Sequence, residues 1–286
     1  MLTNKVSEIM TTELISAPAS STVHDVIQQM VARDVGRIII CRDDLPVGIF
    51  TERHVLKHVA NNKLDPQQTL VETVMTSPFR AVDKDSHIVD ALGDMIQGKF
   101  RHLQVLGTRN DIVGIVSMRR ILEIAVELGH GLSENKTIGS IISQAPLSMD
   151  ECETVWNAVE LMNEIQAGAV VVISAHKPVG IFTERDVLNR IVAKELDGRK
   201  ISLKDVMTSP LITMPITALI GQVLEQMSRR DIRNMPIVDD RGQLAGLVSM
   251  PDVLQYVWAF DFDEEVRRTW KGIQSFYDSQ YDYTPG

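Results

Sequence analysis

The chain has 286 residues, of which 44% are hydrophobic and 23% are charged, and its formal net charge is −9. This composition indicates a folded protein with sizeable cores rather than a disordered chain. The acidic surplus argues against a general nucleic-acid binder, because such proteins neutralise phosphates with a basic surface. The sequence has no secretory signal and no apolar run near the roughly 20 residues that a membrane span needs, so we expect a cytoplasmic protein with no membrane span.

The residue types that usually signal catalysis or metal binding show no recognisable pattern. Cys41 and Cys152 are the only cysteines, and neither belongs to a CxxC pair. The seven histidines lack metal-ligand spacing, and the sequence contains no P-loop and no GxGxxG motif. We therefore predict a protein that is not an enzyme and has no metal site.

The first repeat of the chain predicts five short elements in order. An extended segment at residues 14–17 precedes a predicted helix over 22–34, whose apolar residues recur at helical spacing. A β-branched run at 37–41 and a second run at 47–50 predict an antiparallel strand pair. Thr51 then opens a closing helix, so the segment is typical of a βαββα unit.

A nine-residue motif that ends this unit occurs four times at constant spacing. The copies read GIFTERHVL, GIVSMRRIL, GIFTERDVL and GLVSMPDVL, and each begins 66 residues after the one before. A fixed period of this length is the signature of an internal structural repeat. The copies begin at Gly48, Gly114, Gly180 and Gly246.

A second identity shows that the four repeats form a duplicated pair. The segment Val-Met-Thr-Ser-Pro occurs at 74–78 and again at 206–210, which is 132 residues or two periods later. We read these segments as leading into repeats 2 and 4. The polar, Gly-containing stretch at 127–136 predicts a connection between the two pairs.

The chain is thus predicted to contain four repeats and a tail. Residues 1–62 and 63–130 form one module, residues 131–196 and 197–256 form a second, and residues 257–286 form the tail. Nine of the fourteen aromatic residues lie between Tyr256 and Tyr283. The tail could be a helix packed on the protein's own core or a docking surface for a second subunit or partner.

The repeats resemble CBS domains, and two of them in tandem resemble a Bateman module. The resemblance rests on the four Gly-apolar-x-Thr/Ser-x-x-(Asp) copies, the Met-Thr-Ser-Pro segments and the βαββα pattern. The layout is similar to that of the gamma regulatory subunits of AMP-activated protein kinase. The resemblance implies an α/β (α+β) fold with four βαββα repeats in two Bateman modules, arranged as a pseudo-symmetric disc.

The resemblance also implies a ligand and a role. It implies a non-catalytic sensor that binds adenine nucleotides (AMP, ADP or ATP, the last with or without Mg) between paired repeats and reports to a partner protein or to its own homodimer. The motif carboxylate would accept hydrogen bonds from two ribose hydroxyls, and basic residues would hold the phosphate. The site residues implied are Thr183, Asp186, Arg233, Asn234 and Ile212 in the first-ranked cleft, Ser249, Asp252, Ile142, Gly168 and Ala169 in the next, and Thr51, His54, Arg101 and His102 in the first module.

A simpler reading of the motif is helix capping, because Ser/Thr-x-x-Asp is also the capping-box pattern. His54 and Arg120 replace the carboxylate in repeats 1 and 2 while Thr51 and Ser117 keep the hydroxyl. We infer from this that the helix does not need the carboxylate. Because Arg120 can only donate hydrogen bonds, we predict that repeat 2 does not bind ribose in the usual way, although Arg119 and Arg120 could reach a phosphate.

Two alternatives to a nucleotide sensor stay open on the sequence. S-adenosylmethionine shares adenine and ribose with the nucleotides but has no phosphate for the basic residues to bind. The repeats could instead form a ligand-free dimerisation scaffold, with Asp186 and Asp252 as helix caps and the aromatic tail as the working surface.

Overall fold

The computed structural model describes residues 5–43, 45–61, 64–78, 80–98, 100–109, 111–121, 136–142, 146–250 and 252–253. Almost all of the predicted connection at 127–136, and the whole tail at 257–286, lie outside these residues. Within the described ranges, no helix combines the length and apolar character needed to cross a membrane.

Each repeat contains one three-stranded sheet in which the central strand pairs parallel with the first strand and antiparallel with the third. The first strands are Ser16–Pro18, Ala81–Asp83, Ser148–Asp150 and Met214–Pro215. The central strands are Arg37–Arg42, His102–Leu106, Ala169–Ser174 and Asn234–Val238. The third strands are Leu45–Thr51, Ile112–Ser117, Lys177–Thr183 and Leu244–Ser249. The predicted mixed α/β class with four small sheets is confirmed.

A helix connects the first and central strands of every repeat. In the first repeat, Val23, Val26 and Met30 lie on its buried face with no exposed surface, as the apolar spacing predicts. The Thr22 hydroxyl accepts a hydrogen bond from the Asp25 amide and so caps the helix. The four helices are Val23–Ala32, Ile88–Gly98, Val155–Glu164 and Ile220–Arg229.

A second helix follows the third strand, directly after the motif Thr of repeats 1 and 3. In repeat 1 it is Glu52–His58, and in repeat 3 it is Glu184–Asp186 continued by a π-helical turn at Val187–Ile191 and a 3-10 turn at Val192–Lys194. Short turns in the connecting segments complete the fold. They are the 3-10 turns Val6–Glu8, Val71–Thr73 and Ile138–Ile141 and the α-helical turn Leu203–Val206.

The connecting segments exchange partners between the repeats of a module. Thr76, from the first Met-Thr-Ser-Pro segment, forms a bridge with Ile49 of repeat 1, whereas Thr11, before repeat 1, bridges Ile115 of repeat 2. Thr208 likewise bridges Ile181 of repeat 3. The Met-Thr-Ser-Pro segments therefore pack on repeats 1 and 3, although they precede repeats 2 and 4 in the chain.

This exchange explains the glycine that begins each motif. A Cβ atom added at Gly180 would lie 2.3 Å from the Met207 sulfur, and one added at Gly48 would lie 2.4 Å from the Met75 sulfur. Gly114 and Gly246 meet Met10 and Ile142 in the same way, with the nearest atoms at 2.7 and 2.8 Å. Close packing of a connecting segment on the third strand leaves no room for a side chain at these positions.

The apolar cores join the repeats to one another. Repeats 2 and 4 share a single apolar core. Leu56 of repeat 1 packs in the core of repeat 3, and Leu188 of repeat 3 packs in the core of repeat 1. Ile39 and Ile115 join the sheets of repeats 1 and 2. The predicted four repeats are confirmed, and their arrangement as a pseudo-symmetric disc of two modules stays a prediction.

The two most tightly packed motif glycines, Gly48 and Gly180, differ in what a methyl group would meet, which allows a test of this packing. Each of Gly48→Ala and Gly180→Ala should lower the free energy of unfolding by about 1–3 kcal/mol through overpacking. At Gly180 the three nearest atoms belong to the Met207 side chain, whereas at Gly48 the Thr76 carbonyl oxygen lies 2.8 Å from the added Cβ.

Truncation of the contacting methionine should therefore relieve Gly180→Ala more than Gly48→Ala. In the Met207→Ala background, Gly180→Ala should cost much less stability than it does in wild type. In the Met75→Ala background, Gly48→Ala should remain costly, because the Thr76 carbonyl oxygen is still in the way. Urea unfolding of the single and double variants measures the two coupling energies. Equal coupling at both sites would contradict this account of the motif glycines.

Candidate functional site

The residue that carries the motif hydroxyl has the same backbone pairing in all four repeats. It is in register with the first residue of the central strand, as in the pairs Arg37 with Thr51 and Asn234 with Ser249. His102 and Ala169 hold the same position opposite Ser117 and Thr183. The clefts therefore share one backbone geometry and differ in their side chains.

Two positions next to this pair carry residue types that alternate from one repeat to the next. The amide after the motif hydroxyl donates to the carbonyl of the residue that precedes the central strand, at 3.0–3.1 Å in every repeat. In repeats 1 and 3 these two residues are Glu and Gly, whereas in repeats 2 and 4 they are Met and Arg. The pairs are Glu52 with Gly36, Met118 with Arg101, Glu184 with Gly168, and Met250 with Arg233.

Glu52 is a buried carboxylate held by two arginines from the other module. Its side chain is 4% exposed. The two terminal nitrogens of Arg233 lie 3.0 and 3.3 Å from its oxygens, and Arg185 Nε lies 3.0 Å from Oε1. Burial alone would raise the pKa of Glu52, but the charges and hydrogen bonds of Arg233 and Arg185 outweigh it and lower that pKa. Glu52 is therefore ionised and links repeat 1 to repeats 3 and 4.

Glu184 of repeat 3 is in turn held by two arginines of the first module, Arg53 and Arg101. Arg101 donates a hydrogen bond of 3.3 Å to Oε2, and Arg53 Nε lies 2.6 Å from Oε1 in an ion pair without hydrogen-bond geometry. The Glu184 side chain is 6% exposed. The four arginines come from four different repeats, so both carboxylates lie where the repeats meet.

Arg37 and His102 add to this central cluster. Arg37 lies 3.2 Å from His102 Nε2, and because a guanidinium can only donate, Nε2 is the acceptor and the ring is neutral. Burial, followed by the charges of Arg37, Arg101 and Arg233, lowers the pKa of His102 well below its usual value. Burial and the neighbouring arginines also lower the pKa of Arg37. Among the described residues, Arg37 has no carboxylate within ion-pair distance, so it is suited to bind an anion.

Asp186 is buried and saturated with donors. Its Oδ2 accepts from the Thr183 amide at 2.8 Å and from the Thr183 hydroxyl at 2.7 Å. Its Oδ1 accepts from the Thr208 hydroxyl at 3.2 Å and forms an ion pair with Arg190, whose Nε lies at the same distance. A ribose could bind Oδ1 only by displacing Thr208 or Arg190.

Asp252 has the same cap but a more open setting. Its Oδ2 accepts from the Ser249 amide at 2.8 Å and the Ser249 hydroxyl at 2.6 Å. The residue is exposed, and Oδ1 has no hydrogen-bond partner within the described ranges. Asn234, opposite Ser249, and Ile142, which covers Gly246, border this cleft. The geometry thus makes Asp252 more accessible than Asp186, which we had ranked first.

His54 occupies the Asp186 position of repeat 1 and copies its contacts. Its Nδ1 accepts from the Thr51 amide at 3.0 Å, so Nε2 carries the proton and donates to the Thr76 hydroxyl at 3.0 Å. Burial lowers the pKa of His54 to about 4, with smaller contributions from His58 and Lys57. The helix of repeat 1 thus starts without a carboxylate, as inferred, but the imidazole takes over the role of cap acceptor.

In repeat 2 the cap is reduced to one bond. The Arg120 amide donates to the Ser117 hydroxyl at 3.2 Å. Arg119 forms an ion pair with Asp231 of repeat 4. Arg120 therefore occupies the carboxylate position without supplying an acceptor, and the prediction that this repeat does not bind ribose in the usual way stands as a prediction.

Several predicted site residues have partners in the structure that differ from those expected. Arg233 binds Glu52 and not Asp186, whose arginine partner is Arg190, and Arg101 lies 3.9 Å from a Cβ added at Gly168. Ala169 is 1% exposed within its strand, and Gly168 borders the Glu184 carboxylate. Ile142 and Ile212 both pack against the core that repeats 2 and 4 share. The predicted residues therefore surround the centre of the molecule in different pairs from those expected.

Sequence reasoning missed the residues that organise this centre. Glu52 and Glu184 were visible as the Glu of the two TER sequences, and Arg37 as the residue opposite Thr51. Alignment of the four repeats at this position was the signal that could have found them. The described part of the chain contains no group of three or more His, Cys, Asp or Glu residues that could hold a metal ion.

The low pKa of His54 predicts a pH dependence of stability. The pKa is about 4 in the folded protein and about 6.5 when the side chain is exposed. The unfolded chain therefore binds more protons between these values, and stability should fall as pH decreases from 6.5 to 4.

The comparison of wild type with His54→Gln isolates this contribution. The wild type should lose about 2–3 kcal/mol more than the variant between pH 6.5 and pH 4, because glutamine does not titrate. Urea unfolding at several pH values measures the difference. Parallel pH profiles for the two proteins would contradict a buried neutral His54.

Sequence comparisons identify relatives along nearly the whole chain. The model of the CBS domain family matches residues 6–61, 71–127, 138–193 and 203–259. The CBS domain-containing protein CBSCBSPB3 of Arabidopsis thaliana is 28% identical over an alignment of 293 positions that covers 89% of this chain and 52% of the relative. The meiotically up-regulated gene 70 protein of Schizosaccharomyces pombe is 26% identical and covers 80% of this chain and 40% of its own length. The chain thus spans about half the length, or less, of these relatives.

Solved structures support the same assignment at the level of the fold. Protein MJ1225 of Methanocaldococcus jannaschii, described as a proposed archaeal homolog of g-AMPK, has a TM-score of 0.76 at 16% identity, with 88% of this chain and 99% of that chain covered. An uncharacterized conserved protein from Pyrococcus horikoshii has a TM-score of 0.60 at 17% identity over the same shares of the two chains. With four family matches on four observed repeats, this chain belongs to the CBS domain family.

Proposed function

We propose that this chain is a regulatory sensor of adenine nucleotides, AMP, ADP or ATP, which bind in the clefts at Asp252 and Asp186 with their phosphates toward the central arginines. The observation that carries this proposal is that arginines from all four repeats meet at the centre of the molecule. Asp186 and Asp252 supply carboxylates at the starts of two helices that follow the sheets of repeats 3 and 4. A ligand for this arrangement needs an anionic group and, several ångströms away, a pair of hydroxyl donors. A nucleotide combines both.

The Asp252 cleft is the simpler of the two sites. The Oδ1 atom of Asp252 is oriented to accept from a ribose hydroxyl without breaking an existing bond between described residues. Ile142 and Asn234 offer an apolar contact and an amide beside it. Arg233 directly precedes Asn234 in the chain, so it connects this cleft to the centre.

Binding would report to a partner through the contacts between modules. Arg101 and Arg233 each connect two repeats of different modules, so a ligand that changes their contacts changes the balance between conformations. The partner is a second copy of this chain or a separate regulated protein. The proposal places the protein in the cytoplasm and allows Mg to accompany bound ATP.

The Asp252 cleft can be tested with a closely matched control. Asp252→Ala should weaken nucleotide binding at one site by about 10- to 150-fold, the loss of a hydrogen bond to a charged group of about 1.5–3 kcal/mol. Asp205→Ala is the control, because Asp205 also lies three residues after a serine and accepts from the Ser202 hydroxyl at 2.7 Å, but it lies outside the clefts.

Isothermal titration with AMP, ADP, ATP and S-adenosylmethionine, after removal of ligand carried through purification, gives the affinities and site numbers. Unchanged affinity in Asp252→Ala would remove Asp252 from the site. Binding of S-adenosylmethionine alone would redirect the proposal to that ligand. No binding of any of the four would leave Asp186 and Asp252 as helix caps in a scaffold.

Repeat 1 offers a gain-of-function test of the same geometry. His54→Asp would place a carboxylate where the Thr51 amide already donates and beside the Thr76 hydroxyl, which accepts from His54 in the wild type and could donate to a carboxylate. We expect one additional nucleotide site in this variant, because the carboxylate brings the acceptor that the Nε2–H group lacks. Titration of His54→Asp beside His54→Asn measures the site number, and an equal number in the two variants would contradict the carboxylate role.

A further inference from the structure

We infer that Glu52 and Glu184 determine how many phosphates the central cluster accepts: they act as internal anions on Arg233 and Arg101, so that the clefts take AMP in preference to ATP. This inference rests on the proposed function and deepens it. It assigns specificity to two residues that contact neither ribose nor adenine in that proposal.

The contacts of Arg233 show why Glu52 competes with a phosphate. Glu52 binds both terminal nitrogens of Arg233, at 3.0 and 3.3 Å, which is the bidentate face that an arginine presents to a phosphate. Arg233 is 36% exposed, so an anion from solvent can reach it, whereas Glu52 is 4% exposed. A phosphate at Arg233 must therefore replace or share a carboxylate contact that already exists.

The second arginine of each pair makes such an exchange possible. If Arg233 turns toward a phosphate, Glu52 still has Arg185, whose Nε lies 3.0 Å from Oε1. If Arg101 turns away, Glu184 still has Arg53 at 2.6 Å. Neither buried carboxylate is left without a cation, so the exchange avoids the large penalty of an unpaired buried charge.

The charge balance then limits the phosphate number. Five arginines (Arg37, Arg53, Arg101, Arg185 and Arg233) and two glutamates leave three positive charges, since 5 − 2 = 3. Two phosphate monoesters, one for each cleft, carry about −3 to −4 at neutral pH, which this surplus nearly neutralises. Each further phosphate of ADP or ATP would add negative charge beside Glu52 and Glu184, in a site where screening by water is reduced.

The two glutamates should differ in strength. Arg101 gives Glu184 a single hydrogen bond of 3.3 Å and is 46% exposed. Arg233 is bound to Glu52 through two nitrogens. Glu52 should therefore be the stronger competitor, and its substitution should change selectivity more than substitution of Glu184.

The test compares the ratio of AMP to ATP dissociation constants in five proteins by isothermal titration without Mg. Wild type should bind AMP more tightly than ATP. Glu52→Gln should improve ATP affinity about fivefold more than AMP affinity. Glu184→Gln should change this ratio in the same direction by a smaller factor. Glu52→Asp keeps the charge and should keep the wild-type preference. Glu72→Gln, which disrupts a surface pair with Arg42, should change nothing.

Two results would overturn the inference while the sensor function survives. One is a wild type that binds ATP as well as AMP. The other is an unchanged ratio in both glutamine variants, each shown to be folded by circular dichroism. If Glu52→Gln does not fold, Glu184→Gln alone decides, because its arginine is the more loosely held.

Inorganic anions separate this inference from the nucleotide proposal. If no nucleotide binds, the melting temperatures of wild type and Glu52→Gln, or Glu184→Gln if the former does not fold, are measured in phosphate and in tripolyphosphate. A larger gain with tripolyphosphate in the variant than in wild type would support the glutamate as an internal anion even though the nucleotide proposal had failed. An equal gain would overturn the inference as well.

Discussion

The structure depends on one constraint: the buried carboxylates of repeats 1 and 3 must be matched by arginines from other repeats. Glu52 and Glu184 are almost fully buried, and each needs cations that its own repeat does not supply. Arg233 and Arg101 provide them from repeats that carry Met and Arg at the positions where repeats 1 and 3 carry Glu and Gly. Buried charges are tolerated when they are paired, so the two kinds of repeat are complementary and neither could be exchanged for the other.

The same constraint explains the glycine that precedes the central strand of repeat 1. A Cβ added at Gly36 would lie 2.9 Å from the carboxylate of Glu52. The absent side chain therefore makes room for the carboxylate, which Arg233 of the other module binds. Gly36, Glu52 and Arg233 thus depend on one another although they belong to two modules.

The elements of the fold could be predicted because they follow from local patterns. Helical spacing of apolar residues, β-branched runs and a 66-residue period depend on neighbours in the chain, and the structure has these elements close to where the sequence placed them. The site could be predicted only in part, because its geometry depends on contacts between distant segments. Thr76 and Thr208 reach the motifs of the preceding repeats through an exchange that no local pattern encodes. The cap formed by His54 was not predicted, because the capping-box pattern has Asp, Glu or Gln at this position and an imidazole nitrogen can take the same role.

Capping and ligand binding are therefore not competing explanations for Asp186 and Asp252. In both residues one carboxylate oxygen accepts from the motif amide and hydroxyl, which leaves the second oxygen as the only one available to a ligand. At Asp252 that oxygen has no described partner, whereas at Asp186 it already holds Thr208 and Arg190. A ligand at Asp186 must displace interactions that tie a connecting segment to the sheet. The two clefts consequently differ in what binding changes: the Asp252 cleft can fill with little rearrangement, while the Asp186 cleft couples binding to movement of the segment between repeats 3 and 4.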